Sequence, residues 1–115
     1  MKHILRAAFH GSGALGAIRW VKRRRLRILM YHHFDDREAI ARQCAHIRAC
    51  YTPVSLKQAA DRLLSGATWP DNALAVTVDD GYRDFYQVAW PVFREYGIPA
   101  TVYLVTDFLD RHQWL

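Results

Sequence analysis

Blocks of apolar residues along the chain predict strands and helices in alternation. Residues 27–32 form a short apolar run with strand character, and residues 73–78 form an almost continuously apolar run rich in β-branched residues. Such a run is typical of a strand that is buried on both faces. Residues 100–105 form a third run of this kind, and between the runs apolar residues recur at helical spacing, as in the segment 40–47.

Polar, glycine and proline residues mark where the predicted elements begin and end. Acidic residues in the segment 35–38 predict the start of one helix, and Ser55 is a favourable N-cap for a second helix that ends at Gly66. A third helix is predicted over residues 82–96. We expect Pro91 to kink or divide it, because proline has no N–H to donate within a helix.

The order of these elements predicts the fold class. A short extended piece at residues 51–54 completes the series strand, helix, short strand, helix, strand, helix, strand. This is the pattern of an α/β fold built from parallel βαβ units with right-handed crossovers. We therefore expect the strands at 73–78 and 100–105 to be adjacent and parallel. A doubly wound sheet could end at the last strand, whereas a barrel could not close within it.

The chain has two parts of opposite charge. It has 115 residues, 51% hydrophobic and 13% aromatic, which excludes a disordered chain. Residues 1–27 contain eight Lys or Arg residues and no acid, and the remainder carries eleven acids against eight basic residues. The sequence thus describes a mildly acidic domain behind a basic leader, which argues against a general nucleic-acid surface.

The leader, residues 1–25, has two interpretations. Its apolar residues are interrupted by glycine and serine, and no continuous run reaches the length of a signal core or a membrane span. As a helix it would place Ala14, Ile18 and Val21 on one side, and Arg25 falls there too; such a helix could make peripheral contact with a membrane surface. The alternative is a basic leader with no specific role. The expected location is cytoplasmic or membrane-associated, and the oligomeric state is not predicted.

The two cysteines are expected to be free thiols. Cys44 and Cys50 lie on one predicted helix. Six residues along a helix span about 9 Å, which exceeds the usual Cα separation in a disulfide.

Residues that carry chemistry concentrate where the strand 73–78 ends. Asp79 and Asp80 leave the carboxyl end of this strand, the place where α/β folds hold their active sites, and Gly81 permits a sharp turn. One carboxylate can bind a cation while the other addresses a water molecule. The alternative is that both aspartates are turn and N-cap residues.

Residues 75–85, which contain Val78-Asp79-Asp80-Gly81, resemble the first motif of the polysaccharide deacetylase family, also called the NodB-homology or carbohydrate esterase 4 group. The common family form is Thr-Phe-Asp-Asp-Gly, with Val78 here in place of the phenylalanine. Residues 91–101 and 106–110 resemble the next helix and strand of the family. Residues 29–34 resemble the opening strand of the branch that has a Tyr-His pair. The resemblance covers residues 26–115 in order.

This resemblance implies the N-terminal part of a distorted (β/α) barrel of the glycoside hydrolase/deacetylase type. The implied activity is metal-dependent hydrolysis of the carbon–nitrogen bond in an N-acetylated polysaccharide, with an N-acetylated glycan as substrate. By resemblance, Asp79 is the general base and Asp80 a ligand of a divalent metal, usually zinc in this family. His32, Tyr82 and Arg83 are expected on the rim of the site.

One departure from the family pattern limits what is expected of the chain. The second family motif, His-Ser/Thr-x-x-His, supplies two further metal ligands and does not occur in the sequence. Residues 26–115 are therefore expected to be a truncated, partial deacetylase domain that is inactive or weakly active. The alternative is a non-catalytic remnant, or a half-domain that needs a C-terminal partner.

Overall fold

The computed structural model describes residues 13–111, apart from the side chains of two residues in its last helix. The strands are β1 (Arg27–Tyr31), β2 (Thr52–Pro53), β3 (Ala73–Val78) and β4 (Ala100–Val102). The helices are α1 (Ala14–Val21), α2 (Arg37–Cys50), α3 (Leu56–Ser65), α4 (Trp90–Glu95) and α5 (Thr106–Arg111), and a π-helical segment, Phe85–Ala89, runs directly into α4.

All four strands belong to one parallel sheet with β3 at its centre. Strand β1 pairs with β3 along one edge of β3. Along the other edge, β2 pairs with the first two residues of β3 and β4 with the last three. The predicted α/β class is confirmed, as is the prediction that the strands following residues 73 and 100 are adjacent and parallel.

The predicted last strand was too long. We expected it to cover residues 100–105, but β4 ends at Val102. The N–H of Tyr103 still donates to the carbonyl of Val78, at 2.8 Å. Because β3 ends at Val78 and the chain turns away there, the following residues have no neighbouring backbone in β3 with which to continue the ladder.

Strand β3 is buried along its whole length because helices cover both faces of the sheet. Its larger residues, Leu74, Val76 and Val78, pack in one cluster with residues of α2 and α4. Its smaller residues, Ala73 and Ala75, pack in a second cluster with residues such as Ala59 of α3. Alternation of side chains across a strand gives each helix layer its own set of partners.

The helix boundaries follow the predicted capping residues. The side chain of Asp36 accepts a hydrogen bond from the N–H of Ala39, which begins α2. Ser55 and Gln58 form a reciprocal capping box at the start of α3, and Gly66 ends that helix with a φ of 68°. These caps satisfy N–H and carbonyl groups that a helix end leaves without partners.

The helix that follows Gly81 changes its hydrogen bonding just before Pro91. The N–H of Trp90 donates to the carbonyl of Phe85, five residues earlier, and Pro91 stands in the first turn of α4. Pro91 cannot donate to the carbonyl of Gln87, and its ring would crowd that group in a regular α-helix. The wider π-helical turn is one of the recognised ways in which a helix absorbs such a defect.

Part of the leader forms helix α1, while residues 1–12 lie outside the described residues. Within residues 13–111, no helix is long and apolar enough to cross a membrane. Cys44 and Cys50 are free thiols, and Cys44 is fully buried.

Candidate active site

The register between β1 and β3 brings His32 to Asp79. Tyr31 pairs with Val78, and the N–H of Asp79 donates to the carbonyl of Tyr31 at 2.9 Å. His32 and Asp79 are the next residues of the two parallel strands, so their side chains leave the same end of the sheet. His32 Nε2 lies 3.6 Å from Asp79 Oδ2, within ion-pair range when the imidazole is protonated.

Asp80 occupies a backbone conformation that few residues other than glycine adopt. Its φ is 66°, and the N–H of Gly81 donates to the carbonyl of Asp79 at 2.8 Å, which closes a three-residue turn around Asp80. Such γ-turns with positive φ are rare and strained. Strain of this kind clusters at functional sites, which makes the turn a reason to suspect a role for the Asp80 carboxylate.

Gly81 is required by its backbone conformation. Its φ is 68°. A Cβ at this position would also meet the end of the Leu104 side chain, which is 54% exposed and can move aside. The turn from β3 into the next helix therefore depends on glycine at this point.

Asp84 joins the loop after β1 to the segment after β3. Its Oδ2 accepts a hydrogen bond from the N–H of Phe34 at 3.1 Å and lies 3.1 Å from His33 Nδ1. Its Oδ1 is buried and has no hydrogen-bond partner among the described residues. The ring of Tyr82 packs against that of His33, with centroids 4.2 Å apart.

The contacts of Asp84 with His33 and Phe34 were not among the expectations from the sequence. In the structure Asp84 makes no side-chain cap hydrogen bond. The topology could have indicated these contacts. Because β1 and β3 are parallel neighbours, the residues that follow β1, including 33 and 34, pass Asp79 and reach the start of the helix after β3. Of the expected rim residues, His32 lies beside Asp79 and Tyr82 beside His33, whereas the Arg83 side chain is exposed to solvent.

The residues that the structure describes do not make a complete metal site. No group of three or more His, Cys, Asp or Glu side chains among them could hold a metal ion. Catalytic zinc normally has three protein ligands and one open position. Because Asp80 is not part of any such group, it falls short of the donor set that zinc requires.

Comparisons with known proteins agree on one family. Residues 66–115 match the family model for polysaccharide deacetylase. The chain is 30% identical over 97 residues to YxkH of Bacillus subtilis, which its name assigns to the polysaccharide deacetylases; the match covers 75% of this chain and 35% of that protein. It is 33% identical over 60 residues to poly-β-1,6-N-acetyl-D-glucosamine N-deacetylase of Escherichia coli K12, covering 52% of this chain and 9% of that protein.

A solved structure supports the same assignment. The fold matches a de-N-acetylase from Aggregatibacter actinomycetemcomitans with a TM-score of 0.68 and 25% identity, covering 78% of this chain and 42% of that one. The chain thus spans about a third of the length of the first relative and less than half of the structural neighbour. The chain is thus similar to the polysaccharide deacetylases, and its fold matches part of a deacetylase domain of the NodB (β/α) barrel type.

Proposed function

We propose that this chain supplies the carboxylate pair of a metal-dependent N-deacetylase that acts on an N-acetylated polysaccharide. The observation that carries the proposal is the placement of Asp79 and Asp80 at the carboxyl end of the buried strand β3, with His32 3.6 Å from Asp79. The proposal assigns the catalytic part to residues 26–115 and leaves residues 1–25 as a separate leader.

Asp79 is the proposed general base. In amide hydrolysis, a water oxygen bonds to the acetamide carbonyl carbon, the carbon–nitrogen bond breaks, and acetate and a free amine result. A carboxylate at the position of Asp79 accepts the proton of the attacking water, and that proton is then available to the departing nitrogen. Proton transfer of this kind contributes roughly 10²- to 10⁴-fold to a rate.

Asp80 is the proposed metal ligand. A divalent ion, zinc by resemblance to the family, would stabilise negative charge on the carbonyl oxygen. Asp80 takes part in no hydrogen bond or ion pair within residues 13–111, so its carboxylate is free to bind a cation. Because these residues do not supply a full donor set, we expect the 115-residue chain alone to bind zinc weakly and to release acetate slowly.

The incomplete donor set also favours a second candidate, a half-domain that becomes active only with a partner that provides the remaining ligands. The two candidates share Asp79 and Asp80 and differ in whether the 115 residues suffice. They are separated by measuring zinc binding and acetate release from N-acetylglucosamine oligomers with the 115-residue chain. Turnover comparable to a full-length relative, abolished by Asp79→Asn, would show that the chain suffices and that its ligands include residues not assigned here.

A chimaera tests the residue assignments in a complete site. Residues 26–111 replace the corresponding segment of the Escherichia coli relative, and deacetylation of poly-β-1,6-N-acetyl-D-glucosamine is measured. We expect metal-dependent activity that Asp79→Asn lowers at least about 10²-fold. Asp61→Asn is the matched control, because within residues 13–111 Asp61 pairs with Lys57 alone, on the surface of α3. Equal activity of the Asp79→Asn chimaera and the unsubstituted chimaera would refute the general-base assignment.

A further inference from the structure

The segment that precedes β1 combines positive charge with exposed apolar side chains. No acidic residue occurs before Asp35. Lys22, Arg24 and Arg25 are exposed. Helix α1 buries none of its residues, and its side chains Ile18, Trp20 and Val21 are 46%, 66% and 70% exposed. We name residues 18–25 the basic segment.

Arg23 fastens the basic segment to the domain. Its guanidinium lies 4.6 Å from the ring centroid of Trp20, and it donates to the carbonyl of Trp20 at 2.9 Å. Its Nε lies 3.4 Å from Asp71 Oδ2, and its carbonyl accepts a hydrogen bond from the N–H of Asn72. Asp71 and Asn72 form the turn that leads into β3, so the basic segment is held at the end of the sheet where β3 begins.

We infer that the basic segment is a docking surface for a membrane rich in anionic lipid. Its exposed cations suit the negative surface of such a membrane, where each Lys or Arg contributes about 1 kcal/mol. Trp20 suits the headgroup region, where tryptophan is enriched, and Val21 and Ile18 add apolar area that the lipid can bury. Exposed aliphatic side chains beside the cations favour a lipid surface over a nucleic acid.

Docking in this way would fix the orientation of the domain. The basic segment lies at the amino end of β3 and the carboxylates Asp79 and Asp80 at its carboxyl end. Six residues of strand separate the two ends by about 17 Å. The carboxyl end of β3 would thus face away from the membrane, toward the surrounding solution. This inference concerns a separate surface and does not depend on the proposed deacetylase activity.

Vesicle binding tests the inference on the full 115-residue chain. Sedimentation with phosphatidylcholine vesicles is compared with vesicles that contain 30% phosphatidylglycerol, at about 0.15 M salt. We expect binding to the anionic vesicles only. Arg24→Gln combined with Arg25→Gln should weaken it roughly 30-fold, taking about 1 kcal/mol for each charge. The matched control is Arg48→Gln with Arg94→Gln, two exposed arginines elsewhere on the domain, which should bind as the unsubstituted chain does.

A second measurement separates lipid insertion from simple attraction between charges. Bromine-labelled acyl chains should quench tryptophan emission, and Trp20→Phe should remove most of that quenching. Equal binding to neutral vesicles, no binding to either kind, equal loss in the control pair, or quenching that persists in Trp20→Phe would each overturn the inference. Tighter binding to a single-stranded DNA homopolymer than to anionic vesicles at the same salt would overturn it as well.

Discussion

The turns at the two ends of β3 resemble each other in backbone conformation but differ in their contacts. In residues 13–111, Asn72 and Asp80 are the non-glycine residues with positive φ, at 54° and 66°. Asn72 immediately precedes β3, and Asp80 follows it by two residues. Each therefore forms part of a sharp turn at one end of the same buried strand.

Each turn also carries an aspartate that faces a basic side chain. At the amino end, Asp71 lies 3.4 Å from Arg23, and its side chain is 61% exposed. At the carboxyl end, Asp79 lies 3.6 Å from His32, and its side chain is only 26% exposed. An exposed pair with arginine stabilises a fold very little, whereas a half-buried carboxylate beside a titratable imidazole is suited to proton transfer.

The difference lies in how each turn uses its polar groups. At the amino end, the N–H of Asn72 donates to the carbonyl of Arg23, and Thr52 donates to the carbonyls of Asp71 and Asn72. At the carboxyl end, the N–H of Asp79 donates to the carbonyl of Tyr31, and the turn then closes on itself through Asp79 and Gly81. Both turns therefore bond to a neighbouring segment through the backbone, but the second also presents the Asp80 carboxylate, which makes no hydrogen bond or ion pair within residues 13–111.

If exposure governs this contrast, buried titratable groups should make the stability of the domain depend on pH. Burial raises the pKa of the Cys44 thiol from 9.0 to about 11. Burial, and then the charge of Cys44, raise the pKa of Tyr31 to about 12. The folded state holds these protons more tightly than the unfolded state. Its stability is thus fully present below pH 9 and is lost as the pH rises toward 11.

For Cys44 alone, we expect a loss of roughly 2 kcal/mol by pH 11. Urea unfolding at pH 8, 9, 10 and 11 measures it, with Cys44→Ala as the control variant because it removes the thiol. The variant should be less stable at pH 8 but should lose less stability between pH 9 and 10. Parallel losses in the two proteins would show that Cys44 does not titrate in this way.

A matched pair of substitutions compares carboxylates near the two ends. Asp84→Ala leaves the N–H of Phe34 without its acceptor, which should cost about 2 kcal/mol. Asp71→Ala removes an exposed pair and should cost less than about 1 kcal/mol. The free energy of unfolding in urea measures both. Equal costs would mean that the link between Asp84 and the loop after β1 contributes no more than a surface ion pair.

The sequence was sufficient where local chemistry decides the structure. The almost continuously apolar run of β3 predicted a strand buried on both faces, and the Ser55 and Gly66 caps mark the two ends of α3 as expected. The βαβ pattern also predicted the adjacent parallel strands correctly. In each case the determining residues lie within one element or its immediate ends.

The sequence was insufficient where two distant segments determine the outcome. The contacts of Asp84 with His33 and Phe34 depend on the register of β1 against β3. The short β4 depends on where β3 ends, since a parallel strand needs a neighbour for its whole length. The partner of Arg23 at Asp71 likewise follows from how the leader meets the sheet. Hydrophobic periodicity contains no information on such pairings.

The smallest expected effect tests whether the two positive-φ turns differ in function as well as in contacts. Glycine relieves the strain of a positive φ but loses more conformational entropy on folding; because the two effects offset each other, Asn72→Gly and Asp80→Gly should each change stability by only a few tenths of a kcal/mol. Alanine at either position should cost about 1 kcal/mol, because its Cβ crowds the backbone in this conformation.

Zinc titration by calorimetry then tests whether the turns at the two ends of β3 differ in metal binding. Asp80→Gly should abolish the residual zinc binding of the 115-residue chain, whereas Asn72→Gly should retain it. Loss of zinc binding in both variants would mean that zinc binding depends on the structure of the whole strand rather than on the Asp80 carboxylate. Retention of zinc binding in both would show that Asp80 is not a metal ligand.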